Sequence, residues 1–404
     1  MVTGKKMALF DEETDKEIFD EDEWYFVELG DLEMKTEPSI ETLNDIPETD
    51  SDVESAQEFQ EIVLPQPMEL KDIIKEDILP WLPAKALTRF KSVSKSWNFW
   101  IKSPVLAHRQ SYTHKSISGF FSQPNYYSEP DFFTFNQSSS GIPNPSLSFL
   151  PISTYIVGST HGLLVCRAHS EPDLYYICNP VTRTFRKLLS PGLYHGLDSA
   201  CVLAFDPALT NIESFYQLVC AVPLVGQPVI CFETYSSKTG SWACSDAICP
   251  MDEELSGHGL YMNGMAYWKT NGGKVVAFDT KTEVCGVVAL PHGSPARGAL
   301  VEMNGQLAYV GISELCYGVE MYYGVEMGLR RRVELFGNVG GFRGCYFGVL
   351  PYCEEGKVMV VNGGLVYCCG LEDEGIEEVG SWWWAEFTES TRFFPYVNTL
   401  VHVG

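Results

Sequence analysis

The sequence predicts an α+β multidomain chain: a small all-α domain followed by an all-β propeller, both behind a disordered acidic tail. Three observations predict it. Acidic residues crowd the first 66 positions, one short stretch carries apolar residues at helical spacing, and a turn-plus-strand unit recurs through the remainder. With 404 residues the chain has room for two or three domains.

Residues 1–66 hold 4 Lys/Arg against 21 Asp/Glu, a balance of −17, so only −8 of the total −25 falls on the rest of the chain. Few apolar residues accompany these acids. Such a segment cannot bury enough surface to offset the entropy of ordering, and disorder is expected up to the Pro65-Gln66-Pro67 breaker. Trp24-Tyr25-Phe26 sits among Glu21, Asp22, Glu23 and Glu28, a pattern shared with short docking peptides, but a solvated acidic tail is the preferred reading.

The charge excludes whole classes of partner. Nucleic acid and anionic membrane both require clustered Lys/Arg to displace counterions, so neither is expected. No run of about eighteen apolar residues forms a membrane span, and Lys5-Lys6 precedes no apolar leader core. The 13 cysteines are odd in number, with no C-x-x-C pair and no zinc-finger His spacing. They read as reduced thiols, which places the protein in the cytoplasm, the nucleus or both.

Residues 68–112 form the helical domain. Leu70, Ile74, Ile78 and Leu79, then Leu87, Phe90, Val93, Trp97 and Ile101, recur at spacings of three and four, so each set lies on one helix face. Pro83 suits the first turn of the second helix, where no backbone donor is needed. The charge reverses here: Lys71, Lys75, Lys85, Arg89, Lys91, Lys95, Lys102 and Arg109 outnumber Glu69, Asp72, Glu76 and Asp77.

Residues 113–150 are a Ser/Asn/Pro-rich connection with the first strands, and 151–404 read as the propeller. A Gly-turn leads into an apolar strand at His161-Gly162-Leu163, Asn263-Gly264-Met265, Asn304-Gly305-Gln306 and Asn362-Gly363-Gly364-Leu365, with Gly162, Gly264, Gly305 and Gly363 as the repeated glycines. The gap from Gly162 to Gly264 spans about two blade lengths, so one unmarked blade fills it. A second signal, strand then Asn/Asp/Tyr-rich turn then strand, occurs at Cys178-Asn179-Pro180-Val181-Thr182, Tyr235–Trp242 and Phe278–Thr282, and Gly380-Ser381-Trp382 repeats its last part. About six blades are expected. The tandem copies Tyr317–Met321 and Tyr323–Met327 read as a local duplication or a lengthened hairpin at the rim.

Catalytic signatures are absent. There is no H-E-x-x-H, Walker loop or G-x-S-x-G elbow. His161, His195 and His258 each precede Gly-Leu, but without converging Cys or carboxylates they read as turn or strand-start residues, and no metal or cofactor is expected. The Glu253-Glu254 and Glu377-Glu378 pairs read as loop acids, since strand neighbours point to opposite faces. Trp242, Trp268 and Trp382 suit inter-blade seams, whereas Trp382-Trp383-Trp384 cannot all point inward.

The stretch Leu70 to Ile101, LKDIIKEDILPWLPAKALTRFKSVSKSWNFWI, resembles a plant-type F-box, most closely at Leu82, Pro83, Lys85, Leu87, Arg89, Phe90, Val93, Lys95, Ser96 and Trp97. Its first half departs: Lys71 replaces Pro, Asp72 is one place early, and Pro80-Trp81 replaces a polar residue and Arg. Pro80 is expected to end or kink the first helix. The β region is similar to the F-box-associated, kelch-like propeller that follows such domains, at His161–Leu164, Cys178–Thr182, Tyr235–Trp242 and Tyr396–Leu400.

The resemblance implies a non-catalytic receptor of an SCF-type (Skp-cullin-F-box) ubiquitin ligase. Leu70, Ile74, Ile78, Leu79, Leu82, Pro83, Leu87, Phe90, Val93, Trp97 and Ile101 would hold a Skp-type adaptor, the adaptor a cullin, and the propeller an unidentified target protein. Two rival readings are a non-degradative F-box scaffold and an enzymatic or carbohydrate-binding propeller with a vestigial helical part.

Overall fold

A computed structural model describes residues 70–135, 145–295, 297–313, 318–324, 327–334, 347–354, 356–371, 375–382, 387–388 and 390–404. The acidic tail with Trp24-Tyr25-Phe26 lies outside the described residues, as do Trp383 and Trp384. From Gln66 onward the chain is one compact unit.

The helical part has four short helices, α1 (Leu70–Ile73), α2 (Ala84–Phe90), α3 (Lys95–Ile101) and α4 (Pro104–Thr113). Between α1 and α2 the backbone passes through a π-helical turn, Ile74–Ile78, and a 3-10 turn, Leu79–Trp81. α1 itself ends at Ile73; Pro80 lies within the 3-10 turn and lacks the amide that would extend the π-helical turn, and Leu82, which precedes Pro83, is extended at ψ 143°. Pro83 falls one position earlier than expected, as the N-cap of α2. Ser94 and Ser103 cap α3 and α4, their hydroxyls accepting from the amides of Trp97 and Leu106.

Strands β1 (Gly119–Gln123) and β2 (Asp131–Thr134) follow, inside the stretch where the sequence places the connection and the first strands. Five four-stranded antiparallel sheets come next in chain order. They are β3 (Thr154–Thr160), β4 (Leu163–Ala168), β5 (Tyr175–Asn179) and β6 (Thr184–Lys187); then β7 (Ala200–Ala204), β8 (Gln217–Pro223), β9 (Val229–Ser236) and β10 (Ser241–Pro250). The third holds β11 (Leu255–Met262), β12 (Met265–Thr270), β13 (Lys274–Asp279) and β14 (Cys285–Ala289), and the fourth β15 (Gly298–Met303), β16 (Gln306–Ser313), β17 (Gly318–Tyr323) and β18 (Gly328–Glu334). The fifth holds β19 (Phe347–Glu354), β20 (Lys357–Asn362), β21 (Leu365–Gly370) and β22 (Ile376–Ser381).

The last strand, β23 (Arg392–Tyr396), pairs with β1, from Gly119 opposite Tyr396 to Gln123 opposite Arg392, and makes the sixth sheet in the order β2-β1-β23. Around the centre β3, β7, β11, β15, β19 and β23 each contact the next, and β23 returns to β3. This is a closed six-bladed propeller. Pairing with β23 puts β1 in the middle of its sheet and leaves β23 as that blade's inner strand.

Each blade is covered on both faces by its neighbours, so its inner strands are apolar throughout and its outer strand is not. All of β4 and β5 is buried, whereas β6 is mostly exposed. Six clusters of buried side chains fill the six seams. Trp268 and Phe232 meet between the second and third blades, where Phe232 stacks on Phe278 with centroids 4.4 Å apart, and Trp382 lies between the fifth and sixth. Trp242 packs between the first and second.

The repeated Gly-turns are tight hairpins with two successive positive φ angles: 40° and 91° at His161-Gly162, 51° and 86° at Asn263-Gly264, 50° and 74° at Asn304-Gly305, and, one residue later than the Asn362-Gly363 alignment, 55° and 89° at Gly363-Gly364. The first three join the innermost two strands of a blade. The fourth joins β20 to β21, one strand further out, and the unmarked second blade instead joins β7 to β8 through the long loop 205–216. Gly380-Ser381 ends β22, whereas Gly240-Ser241 opens β10, so that likeness is of sequence only. In the tandem copies, Gly318–Met321 belong to β17, and Gly324 and Met327 to the turn that follows.

Candidate functional site

The helical part is seated on the seam between the sixth and first blades. Leu79, Ala84, Leu87, Ile101, Leu106 and Ala107 share one apolar cluster with Phe121, Ile156, Leu164, Tyr176, Phe394 and Tyr396. Residues 397–404 run between the two parts as a strap. Gln110 of α4 is fully buried; its carboxamide oxygen accepts from the Leu400 amide at 2.9 Å and its nitrogen donates to the Asn398 carbonyl at 3.4 Å. On the blade side, Asn179 donates to the carbonyls of Thr399 and Val401 at 3.0 and 2.9 Å. The Tyr216 hydroxyl donates to Val403, and Thr399 to His161.

This seating divides the eleven residues that the resemblance assigns to the adaptor. Leu79, Leu87 and Ile101 are buried in the chain's own core; Ile74, Leu82, Pro83, Phe90 and Trp97 are half-buried, with Phe90 and Trp97 edge-to-face at 5.6 Å; Leu70, Ile78 and Val93 are exposed. Further exposed apolar residues stand on the same helices and were not picked out by periodicity: Trp81 at 68%, Phe99 at 74%, Ile73 and Val105. A signal for Phe99 exists in the sequence. The run Trp97-Asn98-Phe99-Trp100-Ile101 is apolar nearly all round, so a short helix packed on one side must leave part of it bare. Lys71, Arg89, Lys95 and Lys102 are exposed on this part, and Arg109 bridges α4 to Glu76 at 3.1 Å.

The second concave feature is a cavity of about 1010 Å3 where the starts of β7, β15, β19 and β23 converge, its wall carrying Tyr155, Arg167, Arg392 and, opposite, Asp252 and Glu254. Glu253 is held below the usual carboxylate range by its hydrogen bonds from Lys274, at 2.6 Å, and Thr270. Glu254 accepts from the Asn271 side chain, and Glu377 and Glu378 lie on the exposed outer strand β22.

The three histidines scatter. His161 is in a hairpin turn, His258 in β11, and His195 in the loop before β7. His195 lies buried between the Tyr175 hydroxyl at 2.8 Å and the Glu233 carboxylate at 3.0 Å; burial holds its imidazole below the usual value although Glu233 pulls the other way. Among the described residues no three His, Cys, Asp or Glu side chains converge as metal ligands, and no helix is long and apolar enough to cross a membrane.

Comparison with known proteins agrees with this architecture. Residues 137–316 match the family described as F-box protein At3g26010-like, beta-propeller. The chain is 28% identical over 269 residues to F-box protein At3g26010 of Arabidopsis thaliana, covering 60% of this chain and 61% of that one. It is 28% identical to F-box protein At5g03970 of the same plant, over 51% of this chain and 53% of that one, and 26% identical to F-box/kelch-repeat protein At3g23880, over 48% and 56%. The chain thus spans between about half and three fifths of the length of these relatives. In its helical module, closed six-bladed ring and sequence the chain is thus similar to plant F-box proteins, some of them of the F-box/kelch-repeat kind, with the matched β-propeller in its C-terminal region.

Proposed function

We propose that the chain is the substrate-recognition subunit of an SCF-type ubiquitin ligase: its helical surface takes a Skp-type adaptor and, through it, a cullin, while the propeller carries a target protein. The observation that supports this most is that Leu70, Trp81, Val93 and Phe99 are bare apolar residues in a helical part whose other side is sealed into the core. Covering one such side chain contributes about 1.5–3 kcal/mol, so a few of them suffice as anchors for a partner groove. The basic residues around them suit an acidic partner and speed encounter. No catalytic group is required, since a receptor acts by holding its target near the conjugating enzyme. Anchoring of the helices by Gln110 and the 397–404 strap supports the same reading, because it fixes the distance between adaptor and target.

Co-expression with a tagged Skp-type adaptor tests it. Trp81→Glu/Phe99→Glu alters two exposed residues and leaves the buried cluster intact, so the protein folds and adaptor recovery falls at least tenfold. Equal recovery of variant and wild type removes the reading. Adaptor recovered without cullin would instead support the non-degradative scaffold.

A further inference from the structure

The cavity at the propeller centre contains two guanidinium groups with no counter-ion. Arg167, on β4, is 1% exposed; its side chain donates to the carbonyls of Pro172, at 2.8 Å, and Gly196, with the Ser199 carbonyl at 3.5 Å. Arg392, on β23, donates to the Gln123 carboxamide oxygen at 3.0 Å and lies 4.2 Å over the Tyr126 ring and 5.5 Å over the Tyr155 ring. All four of these cationic and aromatic side chains line the cavity. Among the described residues neither arginine is ion-paired. Arg392 Nε and the hydroxyl of Tyr155, a residue only 2% exposed, have no hydrogen-bond partner at all.

One buried and one half-buried like charge, answered only by carbonyls, a carboxamide and ring faces, have lost hydration without gaining an anion. Burial pulls the Arg392 guanidinium below its ordinary value, and Arg167 adds to the effect. An entering oxyanion would gain guanidinium donors and the unused phenol together, in a place where water competes weakly. We propose that this end of the cavity is an anion-binding subsite in which Arg167, Arg392 and Tyr155 hold a carboxylate or phosphate group. The subsite is separate from the adaptor-facing helices, so failure here and failure of the ligase reading are different results.

Isothermal titration of the full chain with inorganic phosphate, with an end-blocked hexapeptide carrying three glutamates, and with its glutamine counterpart tests the proposal. Wild type binds at least one of the two anions and not the glutamine peptide; Arg392→Gln weakens binding tenfold or more and Tyr155→Phe severalfold. Binding of phosphate alone assigns a free or esterified phosphate, and binding of the glutamate peptide alone a protein carboxylate. Tyr155→Phe removes one unpartnered hydroxyl and decides the matter should Arg392→Gln fold poorly. No binding of either anion, or equal binding by wild type and Tyr155→Phe, overturns it, and adaptor recovery stays unchanged in both variants.

Discussion

Replacing Asn179 by alanine tests whether one turn residue fixes the strap that joins helices to propeller. Its side chain is fully buried, donates to the carbonyls of Thr399 and Val401, and accepts from the amides of Val181 at 2.9 Å and Thr182 at 3.3 Å and from the Tyr396 hydroxyl at 3.4 Å. Asn179→Ala leaves at least three buried backbone groups, those of Thr399, Val401 and Val181, without partners. At about 1 kcal/mol each, the lower end of the cost of a buried unmade hydrogen bond, the loss is about 3 kcal/mol. For a large domain, about 2 °C per kcal/mol gives a Tm some 6 °C lower. Thermal denaturation and denaturant midpoints measure this, and Asn179→Asp, which keeps an accepting oxygen but sets a buried carboxylate oxygen against the Thr399 and Val401 carbonyls, loses at least as much. A change below about 0.5 kcal/mol in Asn179→Ala would refute the reasoning, since it would mean the strap is held by its apolar residues alone.

Other consequences can be checked by similar means. Gly162 and Gly305 occupy the same turn position at φ 91° and 74°, but a Cβ on Gly162 meets the Thr399 side chain and the Val397 carbonyl, while one on Gly305 meets nothing within 4 Å. Gly305→Ala should cost about 1–2 kcal/mol, from left-handed backbone strain alone, and Gly162→Ala measurably more by denaturant unfolding. Gln110→Ala leaves the Leu400 amide and Asn398 carbonyl unpaired and should cost about 2 kcal/mol; faster protease cleavage between helices and propeller, with adaptor binding retained, is the expected readout. Burial holds His161, His195 and His402 below the usual histidine value, so the folded state resists protons that the unfolded chain accepts. Stability is therefore full above about pH 6.5 and declines as pH falls below it. His161→Asn, which puts at this turn the residue found at Asn263 and Asn304, should flatten that decline in denaturant midpoints taken from pH 8 to pH 5; an unchanged slope would count against the assignment.

Local signals were legible where the residue itself carries the constraint. Asn-Gly pairs mark hairpins because the second residue must adopt positive φ, whereas Pro80, which has no amide to donate, sits in a 3-10 turn that follows a π-helical turn, with α1 already ended at Ile73. Trp268 and Trp382 read as seam residues because large apolar rings are seldom left in water. Less legible was the Gly363-Gly364 turn, whose local pattern is the same wherever in a blade it sits. The proposed adaptor surface is legible in the sequence only as a set of apolar positions: periodicity selects a helix face but not which side of a short helix the rest of the chain covers.

From sequence alone came the acidic first segment, the helical domain with its apolar spacing, the β repeats and a blade number of about six, each a property of neighbouring residues. Tertiary structure decided that β1 and β2 complete a blade with β23, that residues 397–404 strap the helices to the first blade, and that Leu79, Leu87 and Ile101 face inward while Trp81 and Phe99 face out. Such pairings join residues more than 250 positions apart, Gln110 with Leu400 or Gly119 with Tyr396, and they depend on how the ring closes rather than on any local preference.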